Sequence, residues 1–138
     1  MAQTIADVLT PDPVTIDASQ TVREAAELMR SGDIGDVVVV EDGRPVGIVT
    51  DRDLVVRVLA TGGSPDDPVR QACSADLVTT APGDSLESAS RLMREHNVRR
   101  LPVVEDGSLV GIVSIGDLAM ERDPHSVLAD ISAAAPTT

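Results

Sequence analysis

The chain has 138 residues, 42% of them aliphatic, Met or Cys and 25% charged, a balance that suits a folded domain rather than a disordered tail. It contains no Phe, Tyr, Trp or Lys, which excludes a Walker A loop, a Schiff-base or general-base lysine, an aromatic cage and a stacking platform for single-stranded nucleic acid. A formal charge of −12 repels phosphate backbones and anionic bilayers, so neither nucleic acid nor a membrane is an expected partner. Without a signal-type start, a long apolar run or a second cysteine to pair with Cys73, the expectation is a cytoplasmic protein.

An internal repeat dominates the sequence. A shift of 64 residues lays Asp12–Leu54 on Asp76–Leu118 without a gap, with 18 identities in 43 positions. Each copy predicts the same elements in the same order. A short strand (Val14–Ile16; Val78–Thr80) leads to a helix starting near Thr21 or Ser85. In the first helix Thr21-x-x-Glu24 has capping-box spacing, and Val22, Ala25, Ala26, Leu28 and Met29 make one apolar face. Two valine-rich strands follow (Val37–Glu41 and Val46–Val49; Leu101–Glu105 and Leu109–Val113), joined by Asp42-Gly43 or Asp106-Gly107, the strongest short hairpin signal. A second helix begins at once, over Asp51 to about Ala60 and Ile115 to about Arg122, and short helices flank the copies at Ile5–Leu9, Pro68–Cys73 and Val127–Ile131.

The expected fold is α/β (α+β): two pseudo-symmetric β-α-β-β-α repeats, each too small to bury its strands alone, packed sheet against sheet. Repeat 1 with its N-terminal helix takes 1–60, a linker 61–67, repeat 2 with its flanking helices 68–131, and a flexible tail 132–138.

Chemistry concentrates where the last strand of each copy meets a helix: Gly47-Ile-Val-Thr50-x-x-Asp53, repeated as Gly111-Ile-Val-Ser114-x-x-Asp117. Thr or Ser three residues before Asp makes a helix N-cap with a carboxylate at N3. The same spacing suits an anion site at a helix N-terminus, with Thr50 or Ser114 bonding a phosphate and Asp53 or Asp117 accepting from a ribose diol. The two readings are compatible in one residue.

The duplicated β-α-β-β-α unit, the Leu101-Pro102-Val103 strand and the two strand-to-helix endings resemble a tandem pair of CBS domains, the Bateman module, over roughly Ile5–Arg122. The chain is similar to the small stand-alone bacterial members. That resemblance implies a regulatory, non-catalytic homodimer that binds an adenosine-containing ligand (AMP, ADP, ATP or S-adenosylmethionine) in clefts between the repeats and signals to a separate effector protein. It needs no resident cofactor. It also implies ribose contacts from Asp53 and Asp117, phosphate contacts near Thr50 and Ser114, and adenine framing by Thr15 and Thr79. Arg99 and Arg100 match basic positions that face phosphates in nucleotide-binding members. A ligand-free homodimeric scaffold or stress-response protein is the alternative.

Repeat 1 departs from this pattern. Gly35-Asp36 stand where repeat 2 has Arg99-Arg100, and Val38 stands in place of Pro102, while Arg52 replaces Gly116 and offers partial compensation. A carboxylate beside a phosphate costs on the order of 1 kcal/mol, so repeat 2 is the expected better phosphate acceptor. His96 and His125 have no partners at ligand spacing, so no metal site is expected.

Overall fold

A computed structural model describes residues 4–73 and 77–122. The expected helix at 127–131, the tail 132–138 and His125 lie outside the described residues. A 3₁₀ turn at Ile5–Asp7 precedes β1 (Thr10–Pro11), β2 (Thr15–Asp17), α1 (Val22–Gly32), β3 (Asp36–Glu41) and β4 (Arg44–Thr50). The next helix, α2, opens as one α-turn over Asp51–Asp53 and winds on as a π-helix through Leu54–Leu59. A second 3₁₀ turn at Val69–Gln71 is followed by α3 (Leu86–His96), β5 (Arg100–Glu105), β6 (Ser108–Ser114) and α4 (Ile115–Arg122). Mixed helix and strand content with two small sheets agrees with the expected class.

Residues 14–73 and Leu77 form one unit, around a sheet ordered β2-β3-β4. There β2 runs parallel to β3, with Thr15 opposite Val38, and β3 and β4 form an antiparallel hairpin. Residues 4–13 and 78–122 form the other unit, around a sheet ordered β1-β6-β5. Both hairpins turn as the sequence predicts: φ is +54° and +78° at Asp42-Gly43, and +53° and +80° at Asp106-Gly107. Positive φ at both positions matches the right-handed twist of the flanking strands. Each hairpin also shifts register by one residue, between Val39 and Val40 and between Val103 and Val104, so Val46 and Val110 are bulge residues.

The first strand of repeat 2 is shorter than expected. Instead of a strand over Val78–Thr80, only Thr80 pairs, in a single parallel bridge to Val103. The cause is chemical. In repeat 1 the Val38 N–H donates to the Val14 carbonyl at 3.1 Å, whereas its counterpart Pro102 has no N–H to offer Val78.

Both helices after the first strand start and stop by capping. Thr21 Oγ accepts the Glu24 N–H and Ser85 Oγ the Ser88 N–H; Asp33 and Asn97 then close α1 and α3 in the left-handed region. In place of the expected reciprocal bond from the Thr21 N–H, the Glu24 carboxylate accepts from the Thr21 hydroxyl and the Gln20 side-chain amide.

One core gathers Ile16, Val37, Val39 and Val49 from the first sheet against Val22, Ala25 and Met29 of α1 and Leu54 and Val58 of α2. The other gathers Leu101, Val103 and Val113 against Ala89, Met93 and Leu118. Val38 and Pro102 point to the opposite face of their strands and are buried too, as near-continuous valine strands require.

Each core also includes the short turn that leads the other repeat. Ile5, which opens repeat 1 in sequence, is fully buried with the repeat 2 residues, and Val69 is fully buried with the repeat 1 residues. Backbone bonds fix both turns: the Ile5 N–H donates to Asp84 O (3.0 Å) and the Val69 N–H to Gln20 O (2.7 Å). A division at 1–60 and 68–131 therefore follows the duplication, whereas packing groups each leading turn with the other copy. The 61–67 segment is tied down as well. The carbonyls of Pro65 and Asp67 accept the Arg23 and Val22 N–H groups, which the first turn of α1 leaves unpaired. β1 crosses β6 so closely that a Cβ on Gly111 would lie 2.8 Å from Leu9 Cδ1 and Thr10 O; only glycine fits there.

Candidate functional site: the strand-to-helix junctions

β4 runs into α2, and β6 into α4, with no residue between them. Thr50 and Ser114 therefore end a strand and open a helix at once. At the first junction the Thr50 N–H donates to Asp53 Oδ2 at 2.9 Å and the Asp53 N–H to Thr50 Oγ1 at 3.0 Å, a complete capping box. The second repeats it: Ser114 N–H to Asp117 Oδ2 at 2.8 Å, Asp117 N–H to Ser114 Oγ at 3.1 Å. All four residues are half-buried. The capping reading of the motif is thus correct in both copies.

Capping uses one oxygen of each carboxylate and leaves Oδ1, an atom with two acceptor lone pairs. The repeats then diverge. The Arg57 Nε–H donates to Asp53 Oδ1 at 3.2 Å, an i,i+4 ion pair along α2. The residue 64 positions on is Glu121, which cannot make that bond, and Asp117 Oδ1 has no partner among the described residues.

Sheet register brings the other predicted residues to the same ends. Asp36 pairs with Thr50, and Gly35 O accepts the Asp51 N–H at 3.0 Å. Arg100 pairs with Ser114, and Arg99 O accepts the Ile115 N–H at 2.8 Å. Both arginines are exposed. Arg52 is exposed in the first turn of α2, its N–H donating to Asp51 Oδ1 at 2.8 Å. Thr15 lies opposite Val38, two residues along β3 from Asp36, and Thr79 precedes Thr80, whose N–H donates to Pro102 O at 3.0 Å. Thr15, Thr50, Arg52 and Asp53 thus share one end of the first sheet, and Thr79, Arg99, Arg100, Ser114 and Asp117 one end of the second.

One neighbour of the first junction escaped the sequence reading: Arg57, which the i,i+4 spacing from Asp53 could have revealed. Another, Asp51, reads in sequence as a solvated face or helix cap; it is exposed, and its Oδ2 lies 3.4 Å from where a Cβ on Gly35 would stand. Together with Asp36 it makes this junction more acidic than its counterpart, which carries Ile115 and Arg100. A shallow hollow of about 310 Å³ beside it is lined by Met29, Arg30, Asp33, Ile34 and Asp51 and includes none of the predicted site residues.

Cys73 is half-buried against the first core, its Sγ–H donating to Arg70 O at 3.2 Å, and burial pushes its pKa above the usual thiol value of 9.0. His96 is exposed in the last turn of α3. Among the described residues no three His, Cys, Asp or Glu side chains are placed to hold a metal ion, and no helix is long and apolar enough to cross a membrane.

The CBS domain family model matches residues 5–60 and, a second time, residues 69–124. The chain belongs to the CBS domain family. It is 43% identical over 118 residues to the CBS domain-containing protein YhcV of Bacillus subtilis, covering 86% of this chain and 84% of that one. In structure it is similar to a putative signal-transduction protein with CBS domains from Burkholderia ambifaria, with a TM-score of 0.79, 32% identity and coverage of 89% and 96% of the two chains. A further likeness is to CBSX2, solved in complex with AMP: TM-score 0.75, 28% identity, coverage of 88% and 96%. The tandem pair inferred from the internal repeat is therefore a pair of CBS domains.

Proposed function

We propose that this CBS pair is a regulatory sensor that binds an adenine nucleotide or related adenosyl compound, AMP, ADP, ATP or S-adenosylmethionine, and signals to a separate effector protein. The observation that carries the reading is the second junction. There a helix N-terminus, a carboxylate with one oxygen unpartnered among the described residues and two exposed arginines share one sheet end. A carboxylate oxygen accepts from a diol, and arginines and helix amides receive phosphate. The AMP complex of CBSX2 supports the ligand class. Binding changes the output only through a difference in affinity between two states of the module. We place the protein in the cytoplasm, as a binding module rather than an enzyme.

We also propose a homodimer. Val55, Val56 and Leu59 stand exposed along α2, Leu59 by 63%, and a second copy of the chain is the occupant we assign to that face. The same face favours a second reading, a ligand-free homodimeric scaffold, in which the aspartates serve only as caps.

The absence of Trp and Tyr makes the deciding measurement simple, because the protein is nearly transparent at 260–280 nm. Purified protein is expected to show a 260 nm band, or to bind added AMP in calorimetry. Denaturation and mass spectrometry then identify any compound released. A blank spectrum and no heat with AMP, ADP, ATP or S-adenosylmethionine would favour the scaffold.

A further inference from the structure

The two junctions hold the same carboxylate in different company. At Asp53 the cap takes Oδ2 and the Arg57 guanidinium takes Oδ1, so each oxygen of the group already has a protein partner. At Asp117 the cap takes Oδ2 alone, and sequence puts an acid, Glu121, where repeat 1 has Arg57. We infer that Arg57 is a latch on the repeat 1 carboxylate, so that a ribose diol must displace it from Asp53 but meets no such competitor at Asp117 among the described residues. This rests on the reading of the junctions as adenosyl sites and adds a determinant of which one fills first.

The geometry sets the size of the effect. Arg57 is half exposed and Asp53 mostly covered, 51% and 22% by side chain. A pair so open to water contributes little, equivalent to roughly a two- to fivefold change in affinity. The latch therefore biases repeat 1 against the ligand without closing it. It is also distinct from the handicap set by Asp36, which opposes phosphate and not the diol.

Adenosine is the probe that separates the two, since it carries the diol without phosphate and is indifferent to the loss of a cation as a phosphate partner. In an Asp117→Asn background, where repeat 1 is the remaining site, Arg57→Ala is expected to tighten adenosine binding by roughly two- to fivefold. A double-mutant cycle on Asp53→Asn and Arg57→Ala, read as urea midpoints without ligand, is expected to show favourable coupling. Absent coupling overturns the latch whatever binds. Coupling with unchanged adenosine affinity, while wild type binds and Asp117→Asn weakens that binding, overturns the latch and leaves the sensor reading standing. No binding of adenosine or AMP to any variant removes both.

Discussion

The two repeats share a backbone plan and differ in the charges hung on it. Repeat 1 surrounds its junction with Asp36, Asp51 and the Asp53–Arg57 pair, whereas repeat 2 surrounds its own with Arg99, Arg100 and a carboxylate that keeps one oxygen uncommitted among the described residues. Capping, hairpin and bulge are common to both copies and coincide with residues the duplication kept: Thr or Ser three residues before Asp, Asp before Gly, and the Val-Gly pair at the bulge, Val46-Gly47 or Val110-Gly111. Chain geometry is thus duplicated while the charges at the two junctions have diverged.

The largest effect should come from the exchanged turns. Ile5→Ala empties a fully buried position and is expected to cost about 2–5 kcal/mol, read as a urea midpoint by far-ultraviolet circular dichroism. Val69→Ala, its counterpart, should cost somewhat less because fewer methyl groups are lost. Costs below about 1 kcal/mol for both would mean that the turns lie on the units rather than in their cores.

Ligand binding sharpens the comparison next. Asp117→Asn removes a charged acceptor from the open junction and is expected to weaken AMP binding by roughly ten- to a hundredfold. Asp53→Asn should weaken it less. The amide oxygen of Asn can still accept the Ser114 or Thr50 N–H, so both variants should remain folded. Equal losses from the two substitutions would restore symmetry and refute the ranking. Calorimetry reads both.

Assembly is asymmetric in the sequence too. The counterpart of the exposed Leu59 is Asp123, and that of Val55 is Ala119. Leu59→Glu is therefore expected to turn a dimer into a monomer in sedimentation velocity. A wild-type chain that sediments as a monomer would remove the assigned occupant of α2.

Much of this was legible before any coordinates, since duplication doubles every signal. The Asp-Gly turns, the Thr21 and Ser85 caps and the Thr50/Asp53 spacing are local patterns, and local patterns survive in sequence. The exchange of Ile5 and Val69 was not, because three-residue turns have no periodicity and their backbone partners, Asp84 and Gln20, lie far along the chain in the other copy. The shortened strand at Thr80 was readable in principle from Pro102, whose missing N–H decides it. For the site, sequence placed Thr50, Asp53, Ser114 and Asp117 at helix starts. It did not show which carboxylate oxygens the protein itself occupies, because that depends on where the Arg57 side chain lies.

The smallest effect belongs to Cys73, which packs against repeat 1's core; its counterpart at the other core is Leu9. Burial favours the neutral thiol, so the folded pKa lies above the unfolded value of about 9.0. The unfolded chain then gives up its proton first. The stabilisation is fully present below pH 9 and is lost as pH rises through the folded pKa. Because the chain has neither Lys nor Tyr, no other side-chain type titrates between about pH 9 and 11 to obscure this. Urea midpoints are therefore expected to hold steady to about pH 9 and then fall, and Cys73→Ala should flatten that fall. An equal decline in the variant would assign the alkaline loss to something other than the Cys73 thiol and leave Cys73 as a packing residue alone.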